Sequence, residues 1–360
     1  MKIGIFDPYL DALSGGERYM LGIAKCLLQK HEVFVFWDQK DEKTIKDQAL
    51  YKLGIDIEKA VFVSNIFSKE VPLISRLKSS RFYDLIIFLS NGSLPFVLTN
   101  LYIHFQFPTV WVKGSLINGF KLKKISAVFC NSFFTKKYID KEFGIKSRVL
   151  YPPANINIKY QISNIKNKEN LILTVGRFGR LPEGNHFKKQ DVMISAFKQM
   201  IDKGLSSWEF ILVISYREKD IEEVKELGRL AKGYPVKIFE NLTMREISKF
   251  YKKAKIYWHA AGFGEDLEKH PERAEHFGIS TVEAMGAGAV PVVINAGGQK
   301  EIVEDRKNGF LWDTIDDLTM FTTRLINNKK LLIKMSEAAI KRSKVFAGDR
   351  FCRELNSILF

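Results

Sequence analysis

Short apolar segments typical of β-strands alternate with helix-like segments along this chain, and the alternation runs through two successive series. The first series includes strand-like residues 3–6, 33–37 and 85–89, and a helical spacing of apolar residues over 17–29. Strands that alternate with helices are typical of a parallel sheet with helices on its faces. The pattern therefore predicts α/β structure in both series.

The two series are separated near Pro152 and Pro153, where the periodicity stops and an Asn- and Lys-rich stretch follows. A chain of 360 residues is longer than one hydrophobic core usually supports. We therefore expect two domains, residues 1–153 and 154–345, with a C-terminal helix over 346–360 joined to the first. The predicted fold is two Rossmann-like, doubly wound domains facing a cleft, with ligands beyond the carboxyl ends of the strands.

The composition excludes several classes of protein. Hydrophobic residues make up 46% of the chain and charged residues 27%, which is ordinary for a globular protein and too apolar for a disordered one. No apolar run approaches the roughly 18 residues of a membrane-spanning helix, and we expect no secretory signal. The cysteines, Cys26, Cys130 and Cys352, form no metal or disulfide pattern, so we expect a cytoplasmic protein.

The net charge of +15 is spread over both halves of the chain and favours anionic partners. One stretch, from Trp111 to Lys124, interleaves lysines with large apolar residues. Its members are Trp111, Lys113, Leu116, Ile117, Phe120, Lys121, Lys123 and Lys124. This composition predicts contact with an anionic membrane surface, although a solvated helix face would look the same. No nucleic-acid-binding motif is present, and we expect no nucleic acid partner.

The segment from Glu275 to Glu301 is the most informative about function. Glu275 and Glu283 are separated by seven residues, with a glycine-containing turn and the start of a helix between them. A turn that leads into a helix favours an anion, because the first backbone N–H groups and the helix dipole both attract negative charge. Carboxylates accept hydrogen bonds from hydroxyls, so the two glutamates would suit a polyol. A site that binds both a phosphate and a polyol suggests a sugar nucleotide as its ligand. A plainer reading is that Ser280 and Glu283 form a capping box.

Two basic residues complete this prediction. Gly176-Arg177 ends a strand-like segment, and Lys188 precedes a helix-like one. A guanidinium and an ammonium directed at one edge of a sheet would suit a diphosphate. A local ion pair between Arg177 and Glu183 is the structural alternative.

With these residues, the chain resembles the family 4 glycosyltransferases, which have the GT-B fold. The Glu275–Glu283 spacing resembles that family's paired glutamates, and residues 284–293, AMGAGAVPVV, resemble the sequence that follows them. Gly176-Arg177 with Lys188 resembles its phosphate-binding pair, and residues 14–18, SGGER, resemble its N-terminal glycine turn.

The resemblance implies a role for each matching residue. Glu283 would hold the ribose, Glu275 the transferred sugar, and Arg177 and Lys188 the diphosphate, with Lys189 as an alternative to Lys188. The implied donor-binding residues are Gly15, Gly16, Arg177, Lys188, Phe277, Gly278, Ile279, Ser280 and Glu283. The implied catalytic residues are His104, Glu275, Arg177 and Lys188.

The implied activity is that of a retaining glycosyltransferase. It would move a hexose, with mannose favoured, from a GDP- or UDP-sugar to a glycan or lipid-linked acceptor at the inner face of the membrane. No Asp-x-Asp sequence is present, and the histidines and acids between 259 and 276 match no zinc spacing. We therefore expect no metal and no cofactor besides the donor. A sugar-nucleotide epimerase of the same fold and a non-catalytic basic binding protein stay open.

Overall fold

The structure is a computed structural model that describes residues 1–12, 15–38, 41–110, 121–154, 165–181, 183 and 186–360. The chain forms two units. One comprises residues 1–153 and 348–360, and the other comprises residues 154–347.

The first unit is built on a parallel sheet. Its strands are β1 (Lys2–Phe6), β2 (Glu32–Phe36), β3 (Val61–Val63), β4 (Leu85–Leu89), β5 (Asn100–Phe105), β6 (Ala127–Cys130) and β7 (Arg148–Val149). These strands lie in the order β3-β2-β1-β4-β5-β6-β7. The helices between them are α1 (Gly15–Leu27), α2 (Glu42–Gln48), α3 (Leu73–Ser80) and α4 (Phe133–Phe143). Strand β4, LIIFL, is buried at every position, as expected for a strand covered on both faces.

The second unit is also built on a parallel sheet. Its strands are β8 (Glu169–Arg177), β9 (Glu209–Ser215), β10 (Val236–Glu240), β11 (Ala254–His259), β12 (Val290–Ile294) and β13 (Phe310–Trp312). These strands lie in the order β10-β9-β8-β11-β12-β13. Its helices are α5 (Gln190–Asp202), α6 (Ile221–Ala231), α7 (Met244–Lys253), α8 (Ile279–Gly286), α9 (Gln299–Ile302), α10 (Ile315–Asn327) and α11 (Lys329–Ser343). Strand order reverses at β1/β4 and at β8/β11, so both sheets are doubly wound and the predicted fold class is confirmed.

The last helix, α12 (Gly348–Leu359), belongs to the first unit and packs on α1. The ring of Phe351 meets the ring of Tyr19 edge-on, with centroids 5.2 Å apart. A disulfide between Cys26 and Cys352, with Cα atoms 5.4 Å apart, joins the two helices. The expectation of no disulfide was wrong, because the partners are 326 positions apart and sequence spacing does not reveal such a pair.

Candidate functional site

In the second unit, the predicted site begins where two neighbouring parallel strands end. Arg177 is the last residue of β8 and His259 is the last residue of β11, on either side of the point where the strand order reverses. Within the described residues, the half-buried Arg177 guanidinium has no hydrogen bond or ion pair. The alternative pairing of Arg177 with Glu183 is wrong, because Glu183 accepts from Arg273 at 2.6 Å. Arg177 therefore offers a cation that no acid among the described residues neutralises.

Lys188 reaches the same edge of the sheet. Its stem passes Gly176, where an added Cβ would lie 3.7 Å from Lys188 Cγ. Its ammonium pairs with Glu275 Oε2, and the two side chains are only 19% and 16% exposed. Lys189 instead pairs with Glu265, and those side chains are 8% and 5% exposed. Of the two candidate lysines, Lys188 is thus the one beside Glu275.

Glu275 is held by a second donor, His259. His259 Nε2 lies 2.7 Å from Glu275 Oε2, the same oxygen that receives Lys188. Burial opposes ionisation of Glu275, but the Lys188 ammonium and the His259 hydrogen bond outweigh it and lower the pKa of Glu275. Burial also lowers the pKa of His259, despite Glu275. At neutral pH this geometry therefore joins a carboxylate and an ammonium to a neutral imidazole.

Helix α8 begins beside this carboxylate. Its N-cap is Gly278, with φ 118°, a conformation that L side chains rarely adopt. The capping-box reading of Ser280 and Glu283 is wrong, because the helix begins two residues before it would require. Ser280 Oγ instead accepts from the Tyr257 hydroxyl at 2.8 Å, and Glu283 is 6% exposed. The N–H groups of Thr281 and Val282 donate to the Gly278 carbonyl, whereas those of Ile279 and Ser280 have no acceptor among the described residues and so favour an anion.

The turn at Gly297 and Gly298 supports the segment that carries Glu275. The N–H of Gly298 donates to the Glu275 carbonyl at 2.7 Å. A Cβ at Gly298 would lie 2.4 Å from Phe277 Cα, and one at Gly297 would lie 2.2 Å from the Glu275 carbonyl oxygen. Only glycine lets these two backbones come so close. The Phe277 ring is buried against Phe346, so only the backbone of Phe277 is a candidate for ligand contact.

In the first unit, Gly15 and Gly16 open helix α1. The carbonyl of Gly16 accepts from Gln106 Nε2 at 2.9 Å, and an added Cβ would lie 2.5 Å from Gln106 Oε1. The lack of a side chain at Gly16 therefore lets the side chain of Gln106 lie close to the backbone. Ser14, which precedes this turn, lies outside the described residues.

His104, on β5, is enclosed in the core of the first unit. The imidazole is stacked on Tyr19 on one side and on Phe129 on the other, and the residue is 0% exposed. Nδ1 bonds the Phe129 carbonyl at 3.1 Å, and burial lowers the pKa of His104 to about 3. These are the surroundings of a structural histidine. The catalytic role that the resemblance implies for His104 stays a prediction, and this geometry does not favour it.

Comparison with known proteins identifies the family. The sequence model for "Glycosyl transferases group 1" matches residues 155–342, more than half of the chain and nearly all of the second unit. The chain belongs to this family. The match confirms the resemblance to family 4 glycosyltransferases.

The sequence identity to individual members of the family is low. The chain is 30% identical over 205 residues to GDP-Man:Man(3)GlcNAc(2)-PP-Dol alpha-1,2-mannosyltransferase of Xenopus laevis, covering 52% of this chain and 39% of the relative. It is 24% identical to alpha-1,3/1,6-mannosyltransferase ALG2 of Dictyostelium discoideum, covering 100% and 98%. The chain spans half or less of the length of the first curated relatives it matches.

The solved structure of Anabaena HepE in complex with UDP and glucose has the same fold. The TM-score is 0.72 over 100% of this chain and 99% of HepE, at 21% sequence identity.

Asp7 is a buried acid of this group 1 protein that the sequence analysis did not single out as a functional candidate. Asp7 follows β1 at the carboxyl edge of the first sheet and is 1% exposed. Burial, and secondarily the carboxylate of Glu17, raise its pKa to about 8. Its Oδ1 accepts from the Tyr9 N–H at 2.9 Å, whereas Oδ2 has no hydrogen bond to the described residues. The only sequence signal is an acid directly after the first strand.

The predicted membrane-contact stretch falls largely outside the described residues, because Trp111, Lys113, Leu116, Ile117 and Phe120 are among those not described. Where the structure describes the chain, no helix is long and apolar enough to cross a bilayer. In the same residues, no group of three or more His, Cys, Asp or Glu side chains is arranged to hold a metal ion.

Proposed function

We propose that this protein is a retaining glycosyltransferase that moves a hexose from a nucleoside-diphosphate sugar to a glycan or lipid-linked acceptor. The observation that carries the proposal is the grouping of Arg177, Lys188 and Glu275 at one sheet edge. This grouping puts two cations for a diphosphate next to a carboxylate that can accept from sugar hydroxyls.

Mannose is the favoured sugar. The names of the Xenopus laevis and Dictyostelium discoideum alpha-1,2-mannosyltransferases include GDP-Man and a dolichyl-diphosphate-linked acceptor. ALG2 of Dictyostelium discoideum is also named as a mannosyltransferase. UDP-glucose is the second candidate donor, because the HepE structure holds UDP and glucose.

The charges suit the chemistry of glycosyl transfer. When the bond between the anomeric carbon and the diphosphate breaks, negative charge grows on the departing oxygen. Arg177 has no competing partner in the described residues, and Lys188 can exchange Glu275 for phosphate. Fixed cations at that oxygen stabilise the transition state more than the ground state. We propose that they do so without a metal ion.

The remaining residues are assigned to the two sugars of the donor. Glu275 would accept from hydroxyls of the transferred hexose, and Glu283, buried on α8, from the ribose. The N–H groups of Ile279 and Ser280 at the start of α8 would meet sugar or phosphate oxygens.

A thermal-shift screen tests the donor assignment. The ligands are GDP, UDP and ADP, and the corresponding sugar nucleotides. A ligand at a hundredfold its dissociation constant stabilises the folded protein by about 2.7 kcal/mol. We expect the largest shift with GDP-mannose, and no shift with any nucleotide would refute the proposal.

Product analysis tests the reaction class. Incubation with donor alone would reveal an epimerase, because an epimerase needs no acceptor. Transfer that continues in excess chelator would support metal independence, whereas turnover lost in chelator and restored by manganese would refute it.

The acceptor assignment is tested by co-sedimentation with vesicles. Stronger binding to anionic than to neutral vesicles at physiological salt would support a peripheral site of action, and equal partition would remove it.

A further inference from the structure

His259 has no role in the functional assignment above, yet it contacts the central carboxylate. It is the last residue of β11, is paired in register with Val293 of β12, and is 4% exposed. A side chain this enclosed, on a central strand, has little freedom to reorient. His259 therefore fixes whatever it bonds to.

Both donors to Glu275 use the same oxygen. His259 Nε2 lies 2.7 Å from Oε2, and the Lys188 ammonium pairs with Oε2 as well. Within the described residues, Glu275 Oε1 receives no hydrogen bond. The arrangement leaves one carboxylate oxygen anchored to the protein and the other available as an acceptor.

The hydrogen-bonding pattern of the imidazole fits an anchor. A carboxylate only accepts, so His259 must carry its proton on Nε2 and donate it. Nδ1 is then an unprotonated acceptor, and it has no partner in the part of the chain that the structure describes. The surrounding residues therefore do not compete with Glu275 for the ring.

We propose that His259 is a positioning residue that orients Glu275 toward the sugar of the donor. The inference rests on the proposed function and deepens it. When a diphosphate draws Lys188 away, Glu275 loses the more mobile of its two partners. His259 then keeps Oε2 in place, so that Oε1 still points at a hydroxyl of the transferred sugar.

The proposal predicts a specific split in binding. A nucleoside diphosphate lacks the transferred hexose and so does not use Glu275, whereas the intact sugar nucleotide does. Loss of His259 should therefore weaken the intact donor and spare the nucleoside diphosphate. A merely structural role would weaken both alike.

The test uses calorimetric Kd values for the diphosphate and for the sugar nucleotide, together with kcat/KM, for His259→Leu, His259→Gln and His259→Asn. Glutamine places an amide N–H near the position of Nε2, whereas asparagine is too short to reach Glu275. We expect His259→Leu and His259→Asn to lose about 10- to 100-fold in donor affinity and kcat/KM, the loss for one hydrogen bond to a charged group. We expect less than about a threefold change in diphosphate affinity, and recovery in His259→Gln.

The half-exposed His270, whose Nδ1 lies 3.2 Å from Glu272 Oε1, supplies the control variant His270→Leu, which is expected to match the wild type. If His259→Leu does not fold, the comparison of Gln with Asn carries the test. Equal behaviour of Gln and Asn, or parallel losses for diphosphate and donor, would overturn the inference while leaving the proposed function intact. A wild-type protein that binds no sugar nucleotide would overturn both.

Discussion

Lys188→Ala and Lys189→Ala form a matched pair that tests which lysine meets the donor phosphates. Each ammonium pairs with a largely buried glutamate, Lys188 with Glu275 and Lys189 with Glu265. Removing one partner of a buried ion pair costs about 3–5 kcal/mol of folding stability. We expect about 3 kcal/mol for both variants, the low end, because each glutamate keeps a second donor. That loss corresponds to a fall in Tm of roughly 6–12 °C for a unit of this size.

Activity should separate the two variants where stability does not. Lys188→Ala removes a cation from the leaving diphosphate and should lower kcat/KM by about 10²–10³-fold, or about 3–4 kcal/mol. Lys189→Ala should keep most of its activity, because Lys189 is engaged by Glu265. The assay is the initial rate of sugar transfer, measured well below the lower Tm. A large loss in Lys189→Ala with normal rates in Lys188→Ala would refute the assignment.

Three further predictions concern the scaffold. Gly298→Ala should lose about 3 kcal/mol of stability, the upper end of the usual cost of overpacking, since its Cβ would collide with Phe277 Cα, and urea denaturation measures this. The pKa of Asp7 is raised to about 8 from 3.8, so the folded state keeps a proton that the unfolded state releases. Stability should therefore fall as pH rises from about 4 to about 8, by up to about 1.4 kcal/mol per unit, and Asp7→Asn should remove this slope. Reducing the Cys26–Cys352 disulfide should cost about 2–4 kcal/mol, read from Tm with and without reductant.

Each of these has a control. Gly228→Ala on α6 adds a Cβ with nothing within 4 Å and should be neutral or stabilising; an equal loss there would discount the collision argument. Asp47→Asn, at an exposed acid on α2, should leave the pH slope unchanged, and a slope that survives Asp7→Asn would contradict the role of Asp7. A variant with serine at both Cys26 and Cys352 should not respond to reductant.

The fold was predictable because parallel sheets leave a strong mark on sequence. Buried strands such as β4 read as continuous apolar runs between turn residues, and the predicted segment 85–89 coincides with β4. Helices α2 and α3 were not predicted. They have seven and eight residues, and at most three of their residues are apolar, which gives little periodic signal.

The candidate site was predictable only in part. The spacing of Glu275 and Glu283 and the position of Arg177 are local patterns, and they drew attention to the sheet edge where the candidate site lies. The contact between Lys188 and Glu275 joins residues 87 positions apart, and His259 reaches Glu275 across 16. Such contacts depend on strand order, which a single sequence does not encode in any short motif.

Helix α12 has a consequence for biosynthesis. The first unit includes residues 348–360, yet the intervening residues 154–347 must be translated before them. At about 5–20 residues per second, the ribosome takes roughly 10–40 s to cross that interval. During that time, the face of α1 that later contacts Phe351 is exposed and can bind chaperones or other nascent chains. The second unit, which is contiguous, faces no such delay and can mature first.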